Sequence, residues 1–242
     1  MTAPASDSIR NELAPTGRLR AGMNLGNALF TQKTAGGELA GVAVDVMTEL
    51  ASRLGVPLQL VEHATPGDVA DAADKNTWDI AVLAIEPARA EKITFSPPMT
   101  EIEADYVVRQ DSPLRAASEV DRAGVRVAAP ARAGYELFLT RTLKAATLLR
   151  TSSFDDSIDA LNTGRADVVA GLRPVLLESL HRMPGSRLLE GRFMTINHGL
   201  GIPRGRDAGA AWVADAVLDL RRSGFLARSI ERHGVQGLGA LA

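Results

Sequence analysis

The chain has 242 residues, 45% hydrophobic and 23% charged, enough for a sizeable core or two modest lobes and too apolar for a disordered or fibrous protein. Its 27 basic and 29 acidic side chains leave a net charge of −2, without the basic excess that sequence-independent phosphate binding needs, so nucleic acid is not an expected partner. The absence of cysteine excludes disulfide frameworks, thiolate metal sites and a cysteine nucleophile.

No stretch approaches the roughly 18 to 20 apolar residues of a transmembrane helix. The segment from Met1 to Glu12 lacks the basic and apolar regions of a secretory signal, so either a signal has been removed or the protein stays inside the cell.

Arg18 to Asn24 reads as a strand entering a loop that holds Gly26, Gly36, Gly37 and Gly41. From Val42 the apolar positions Val46, Met47, Leu50, Ala51 and Leu54 recur at helical spacing, and Gly55 supplies the stop. Pro57 to Val61 is a short strand, a helix holds Val69, Ala70 and Ala73, and Asp79 to Ile85 is an apolar run suited to a buried parallel strand. That rhythm is the signature of an open α/β sheet. Ala104 to Arg109 is β-rich.

The pattern then restarts. Val125 to Ala128 is a strand, Gly134 to Leu143 a helix, Thr147 to Leu149 a strand, Ser153 to Leu161 a helix and Ala166 to Ala170 a strand, which suggests two similar α/β lobes. Phe193 to Pro203 is extended, and helices over Ala208 to Leu220 and Gly224 to His233 close the chain.

Much chemistry is absent from these residues. His63, His181, His198 and His233 have no metal-ligand spacing, so neither a metal nor any other cofactor is expected. There is no G-x-S-x-G elbow and no P-loop, and the glycines from Gly199 to Gly205 and from Gly237 to Gly239 suit turns better than phosphate. The informative segment is Ala84-Ile-Glu-Pro-Ala-Arg89, where a buried strand ends and Pro87 takes a favoured first helical position. An arginine at a helix start opposes the helix dipole unless an anion lies beside it. Two readings are open for Arg89: a solvated side chain offset by Glu86, or an anion contact at a strand end, where open α/β sheets bind ligands.

The chain resembles the extracellular solute-binding proteins of amino-acid ABC transporters, bacterial family 3, which have the type 2 periplasmic-binding fold. The likeness rests on Gly41-Val-Ala-Val-Asp-Val-Met-Thr-Glu-Leu-Ala-Ser-Arg-Leu-Gly-Val56, on Trp78-Asp-Ile and on Pro87-Ala-Arg-Ala-Glu-Lys-Ile-Thr-Phe-Ser-Pro97. It continues through Ala166-Asp-Val-Val-Ala-Gly171, His198-Gly-Leu-Gly-Ile-Pro203 and Gly224, and so spans nearly the whole chain. It implies two open α/β lobes joined by two extended crossings, one lobe from residues 1–105 and 197–242 and the other from 106–196. It also implies a monomer that closes on a small solute and delivers it to an ABC permease, with a periplasmic location against which the missing signal stands.

In the family, the arginine matching Arg89 grips the ligand's α-carboxylate. Three departures bear on the ligand. Ala84 stands where the family usually has a hydroxyl, Arg132 and Ala133 replace a Gly-Ser/Thr turn, and Leu172, with Arg173 beside it, replaces the aspartate that pairs with the α-ammonium. An ammonium there would lack a counter-charge. The expected ligand is therefore a carboxylate without an α-amino group, with Arg132 and Arg173 either near a second anionic group or on solvated surface.

Asn24, Asn27, Phe30 and Tyr135 are further candidate contacts, core packing being the competing role of the two aromatics, whereas Asp45 reads as structural. Two other functions fit the resemblance: a cyclohexadienyl or arogenate dehydratase with Glu86 as its acid, and a cytosolic ligand sensor.

Overall fold

Short apolar runs alternate with capped helices in the computed structural model, which describes residues 5–241. Helix α1 (Asp7–Leu13), with Ser6 as its cap, leads to β1 (Leu19–Asn24), then to a ribbon of β2 (Gln32–Lys33) and β3 (Leu39–Ala40), and to α2 (Val42–Leu54). There follow β4 (Leu58–His63), α3 (Pro66–Asp71), β5 (Ile80–Ala84), α4 (Pro87–Ala90), β6 (Ile93–Phe95) and β7 (Thr100–Arg109). The next stretch holds β8 (Arg126–Pro130), α5 (Gly134–Thr142), β9 (Thr147–Thr151), α6 (Phe154–Asn162), β10 (Val168–Leu172), α7 (Arg173–Ser179) and β11 (Ser186–Leu188). Last come β12 (Met194–Pro203), α8 (Asp207–Arg222), α9 (Phe225–Arg232) and β13 (Gly239–Ala240).

The chain forms two compact units, one running up to Glu101 and again from Asn197 onward, the other being Ile102–Ile196. The backbone changes unit inside β7 and inside β12. In the first unit β4, β1 and β5 are parallel neighbours in that order, and β12 runs antiparallel beside β5. In the second, β9, β8 and β10 are parallel neighbours, and β7 runs antiparallel beside β10. Each unit thus has three parallel strands and one antiparallel strand in the same spatial order.

The helical spacing that begins at Val42 decides which face α2 buries. Val42, Val46, Met47, Leu50 and Leu54 are all buried, each contributing roughly 1.5–3 kcal/mol by leaving water. Gly55 ends the helix at φ 70°, in the left-handed region. Trp78, fully buried, packs with Val69, Ala81, Leu83 and Ile93, and its indole Nε1 donates to the carbonyl of Val69 at 3.0 Å. The second unit's core gathers Val107, Ala128, Ile158, Leu161, Val169 and Leu176.

One arrangement of arginine and aspartate occurs in both units. Asp79, just before β5, accepts from Arg20 Nε at 2.9 Å, Nη2 at 2.8 Å and the main-chain N–H at 3.1 Å, and its own N–H donates to the Arg20 carbonyl at 2.8 Å. Asp167, just before β10, accepts from Arg126 Nε at 3.0 Å, Nη2 at 2.8 Å and the main-chain N–H at 2.9 Å, and returns an N–H to the Arg126 carbonyl at 2.9 Å. The surroundings differ. Asp79 is fully buried and takes a second arginine, Arg206 at 2.8 Å, whereas the Asp167 side chain is 29% exposed.

Those surroundings set two expectations. Asp79→Asn should lower unfolding stability by about 3–5 kcal/mol, because two arginines lose their buried counter-charge, and Asp167→Asn by about 1 kcal/mol or less; urea midpoints at pH 7 compare them. The hydrogen bonds from Arg126 hold the Asp167 carboxyl below its ordinary value of 3.8, so its contribution is present above that pH and is lost as pH falls through the depressed native value. The stability curves of wild type and Asp167→Asn should converge on acidification below about pH 4.

Candidate functional site

In the first unit the candidate residues gather beyond the carboxyl ends of β1 and β5. Ala84 is the last residue of β5 and lies opposite His198 in the antiparallel register with β12. Glu86 then caps α4 and Pro87 opens it. Arg89 is 5% exposed, and its Nη1 donates to the carbonyl of Ala84 at 3.0 Å. A solvated Arg89 is therefore corrected: the four-residue helix turns the side chain inward, and the bond to Ala84 fixes the direction of the guanidinium fork at a strand end. The guanidinium is always charged and its five donors are planar, so the bond to the Ala84 carbonyl orients the whole group.

Phe30 is buried, its ring tilted against His198 with centroids 4.7 Å apart. His198 is itself buried and adjoins both Ala84 and Phe30, so it belongs with the candidate residues although its sequence spacing gave no sign of it. Asn24 and Asn27 are half-buried and spend their Oδ1 atoms on the loop, accepting from the N–H of Gly26 at 3.0 Å and of Leu29 at 3.2 Å. They shape the loop that brings Phe30 in.

The second unit presents its candidates beyond β8 and β10, which are parallel neighbours. Arg132 is exposed and sits at φ 66°, a left-handed conformation uncommon outside glycine. The buried carboxylate of Glu136 holds it there, accepting from the Arg132 N–H at 2.8 Å, from Thr140 Oγ1 at 2.7 Å and from Arg150 Nε at 2.8 Å. Ala133 caps α5 without a side-chain bond. Tyr135 is buried, and desolvation pushes its phenol well above the ordinary value.

Leu172, 9% exposed, ends β10 and caps α7, whose first residue is Arg173. Arg173 Nη1 donates to Asp105 Oδ2, and its Nε lies 3.8 Å from Glu103 Oε2. Asp105 is fully buried on β7, opposite Gly171 in register. An aspartate inside the β-rich run Glu103-Ala-Asp-Tyr-Val-Val108 was the available signal for it, since a buried acid needs a partner.

Asp45 is structural. Its Oδ2 accepts from Ser229 Oγ at 2.6 Å and lies 3.0 Å from His233 Nε2, fastening α2 to α9. Among the described residues there is no group of three or more histidine and acidic side chains able to hold a metal, and no helix is long and apolar enough to cross a membrane.

Two α/β units of matching strand order, exchanged within two strands and bearing charged groups at the carboxyl ends of parallel strands, define the fold of the type 2 periplasmic-binding proteins. The chain belongs to the bacterial extracellular solute-binding proteins, family 3, which it matches over residues 19–236. Similar solved structures include holo ArgBP from T. maritima, at 22% identity and TM-score 0.73, with 94% of this chain and 99% of that one covered. AbpA from Streptococcus pneumoniae bound to L-arginine is 21% identical at TM-score 0.75, with 91% and 95% covered. The ancestral amino acid-binding protein AncCDT-1, a precursor of cyclohexadienyl dehydratase, is 22% identical at TM-score 0.75, with 92% and 97% covered.

The loop that carries Phe30 depends on Gly41, at φ 123°, where an added Cβ would lie 2.4 Å from the Phe30 carbonyl oxygen. Gly41→Ala should destabilise the protein by about 1–3 kcal/mol, and the thermal midpoint measures it.

Proposed function

We propose that this protein is a non-catalytic solute-binding protein for a small organic carboxylate that lacks an α-amino group. The observation behind this reading is the end of β10. Leu172 and Arg173 stand there, and the nearby buried carboxylate, Asp105, is already bonded to Arg173. An α-ammonium brought to that strand end would meet an apolar side chain and a cation, at the cost of an uncompensated charge.

Arg89 is the carboxylate anchor in this reading, because a buried, oriented guanidinium forms strong charge-assisted hydrogen bonds. Arg132 and Arg173 are the cations at the strand ends of the second unit, Arg173 being paired with Asp105. Following the description of its family as extracellular, the protein would work as a monomer outside the cytoplasmic membrane and pass its solute to an ABC permease. The competing ligand class is the α-amino acid, since AncCDT-1 is an amino acid-binding protein and AbpA was solved with L-arginine bound. Glu86, the acid a dehydratase would need, is buried as the cap of α4, and no observation favours turnover.

The test is a thermal-shift screen of protein unfolded, dialysed and refolded to remove carried-over ligand. Carboxylates without an amino group should stabilise the wild type and their amino-acid counterparts should not. Arg89→Ala should weaken the binding of any responder by about 10- to 100-fold, the loss of one or more charge-assisted hydrogen bonds. Preferential stabilisation by amino acids would overturn the ligand class, and an undiminished response of Arg89→Ala would overturn the anchor.

A further inference from the structure

Arg173 and Asp105 are joined across two strands. Asp105 lies on β7 opposite Gly171, two residues before Arg173 opens α7. The Asp105 side chain is fully buried, whereas that of Arg173 is 41% exposed. The buried member is the fixed one and the exposed member is the one presented. Asp105 Oδ1 has no hydrogen-bond partner among the described residues, while Oδ2 is taken by Arg173. Desolvation raises the carboxyl above its ordinary range, with the Arg173 guanidinium pulling the other way. Glu103, the other acid near Arg173, is shared with Arg192, whose Nη1 is 2.8 Å from its Oε1.

We infer that Arg173 determines the charge of the ligand this protein accepts, by occupying a buried carboxylate, Asp105, that would otherwise receive a ligand ammonium. This rests on the proposed reading of the strand ends as the binding region. The end of β10 carries the apolar Leu172, the neighbouring strand β7 carries the acid Asp105, and Arg173 covers that acid with a built-in cation. Asp105 is in turn the positioning residue for Arg173, since a guanidinium on a rigid acidic partner is held in one direction. Selectivity then comes from both attraction for an anion and rejection of an ammonium.

The experiment compares wild type, Arg173→Met, Arg173→Lys and Arg173→Met/Asp105→Asn as ligand-free full chains at pH 8. Thermal shift is run across the twenty L-amino acids and their desamino counterparts, with calorimetry on the responders. The readout is the affinity ratio of each amino acid to its desamino partner. Arg173→Met should move that ratio toward the amino acid by about tenfold or more, Arg173→Lys should leave it near the wild-type value, and the double variant should cancel the gain. A ratio unchanged in Arg173→Met, a gain that persists without Asp105, or no amino acid bound better than by wild type would overturn the inference. Wild type preferring amino acids would overturn only the proposed ligand class, because the comparison between variants still reports on Arg173. If Arg173→Met fails to fold, Asp105→Asn decides: it should weaken binding of the desamino acids by about tenfold as Arg173 loses its anchor, and wild-type affinity there would overturn the inference.

Discussion

An aspartate placed one residue before a buried strand, and clamped by the side chain and main chain of an arginine on the neighbouring strand, is the interaction on which the rest of each unit depends. β5 and β10 are apolar throughout, and every residue of each is buried. Hydrophobicity holds such a strand in the interior but does little to fix its register, since alternation of faces is lost when both faces are apolar. Arg20 with Asp79 and Arg126 with Asp167 supply that register, each with two bonds between side chains, one from the arginine main-chain N–H to the carboxylate and one between main chains. Registration at the start of the strand then sets where the strand ends, at Ala84 in β5 and at Leu172 in β10.

From there the two units diverge in chemistry while agreeing in architecture. The strand end at Ala84 leads into a helix only four residues long, and the Arg89 side chain on it turns inward against the Ala84 carbonyl. The strand end at Leu172 leads directly into α7, and Arg173 turns toward β7 and its buried acid. The turn after β8 replaces small residues with Arg132, and Glu136 supplies the hydrogen bond that keeps a side-chain-bearing residue in a glycine conformation. In the second unit Arg132 and Arg173 are each held by a buried acid of the same unit, Glu136 and Asp105.

The amphipathic helix from Val42 with its glycine stop, and the continuous apolar run ending at Ala84, were legible because each pattern is local and strong. The ribbon of β2 and β3, the three-residue β6 and the helix α7 were not. Two- and three-residue strands carry no periodicity, and α7 begins with Arg173 and Pro174, which alone do not distinguish a helix start from a turn. Arg89 was legible as a residue of interest from its place after a buried strand, but its burial was not, because that depends on packing from distant parts of the chain. His198 and Asp105 stayed hidden for the same reason. Each is an ordinary polar residue within a β-rich run until the strand beside it is known.

The division of the chain also bears on the order in which the protein comes into being. The second unit is continuous, but the first takes β12, α8 and α9 from the far end of the sequence. Asp45 on α2 finds Ser229 only across 184 residues, and Arg53 finds Asp219 across 166. When the polypeptide becomes available in chain order, the segment inserted in the middle has all its partners before the segment that precedes it. The opening strands and α2 must wait with an incomplete sheet until β12 lies alongside β5. Such long-range closure is slow and leaves apolar surface uncovered in the interval, so the first unit, split around the second, is the later to be finished and the more exposed to misassembly.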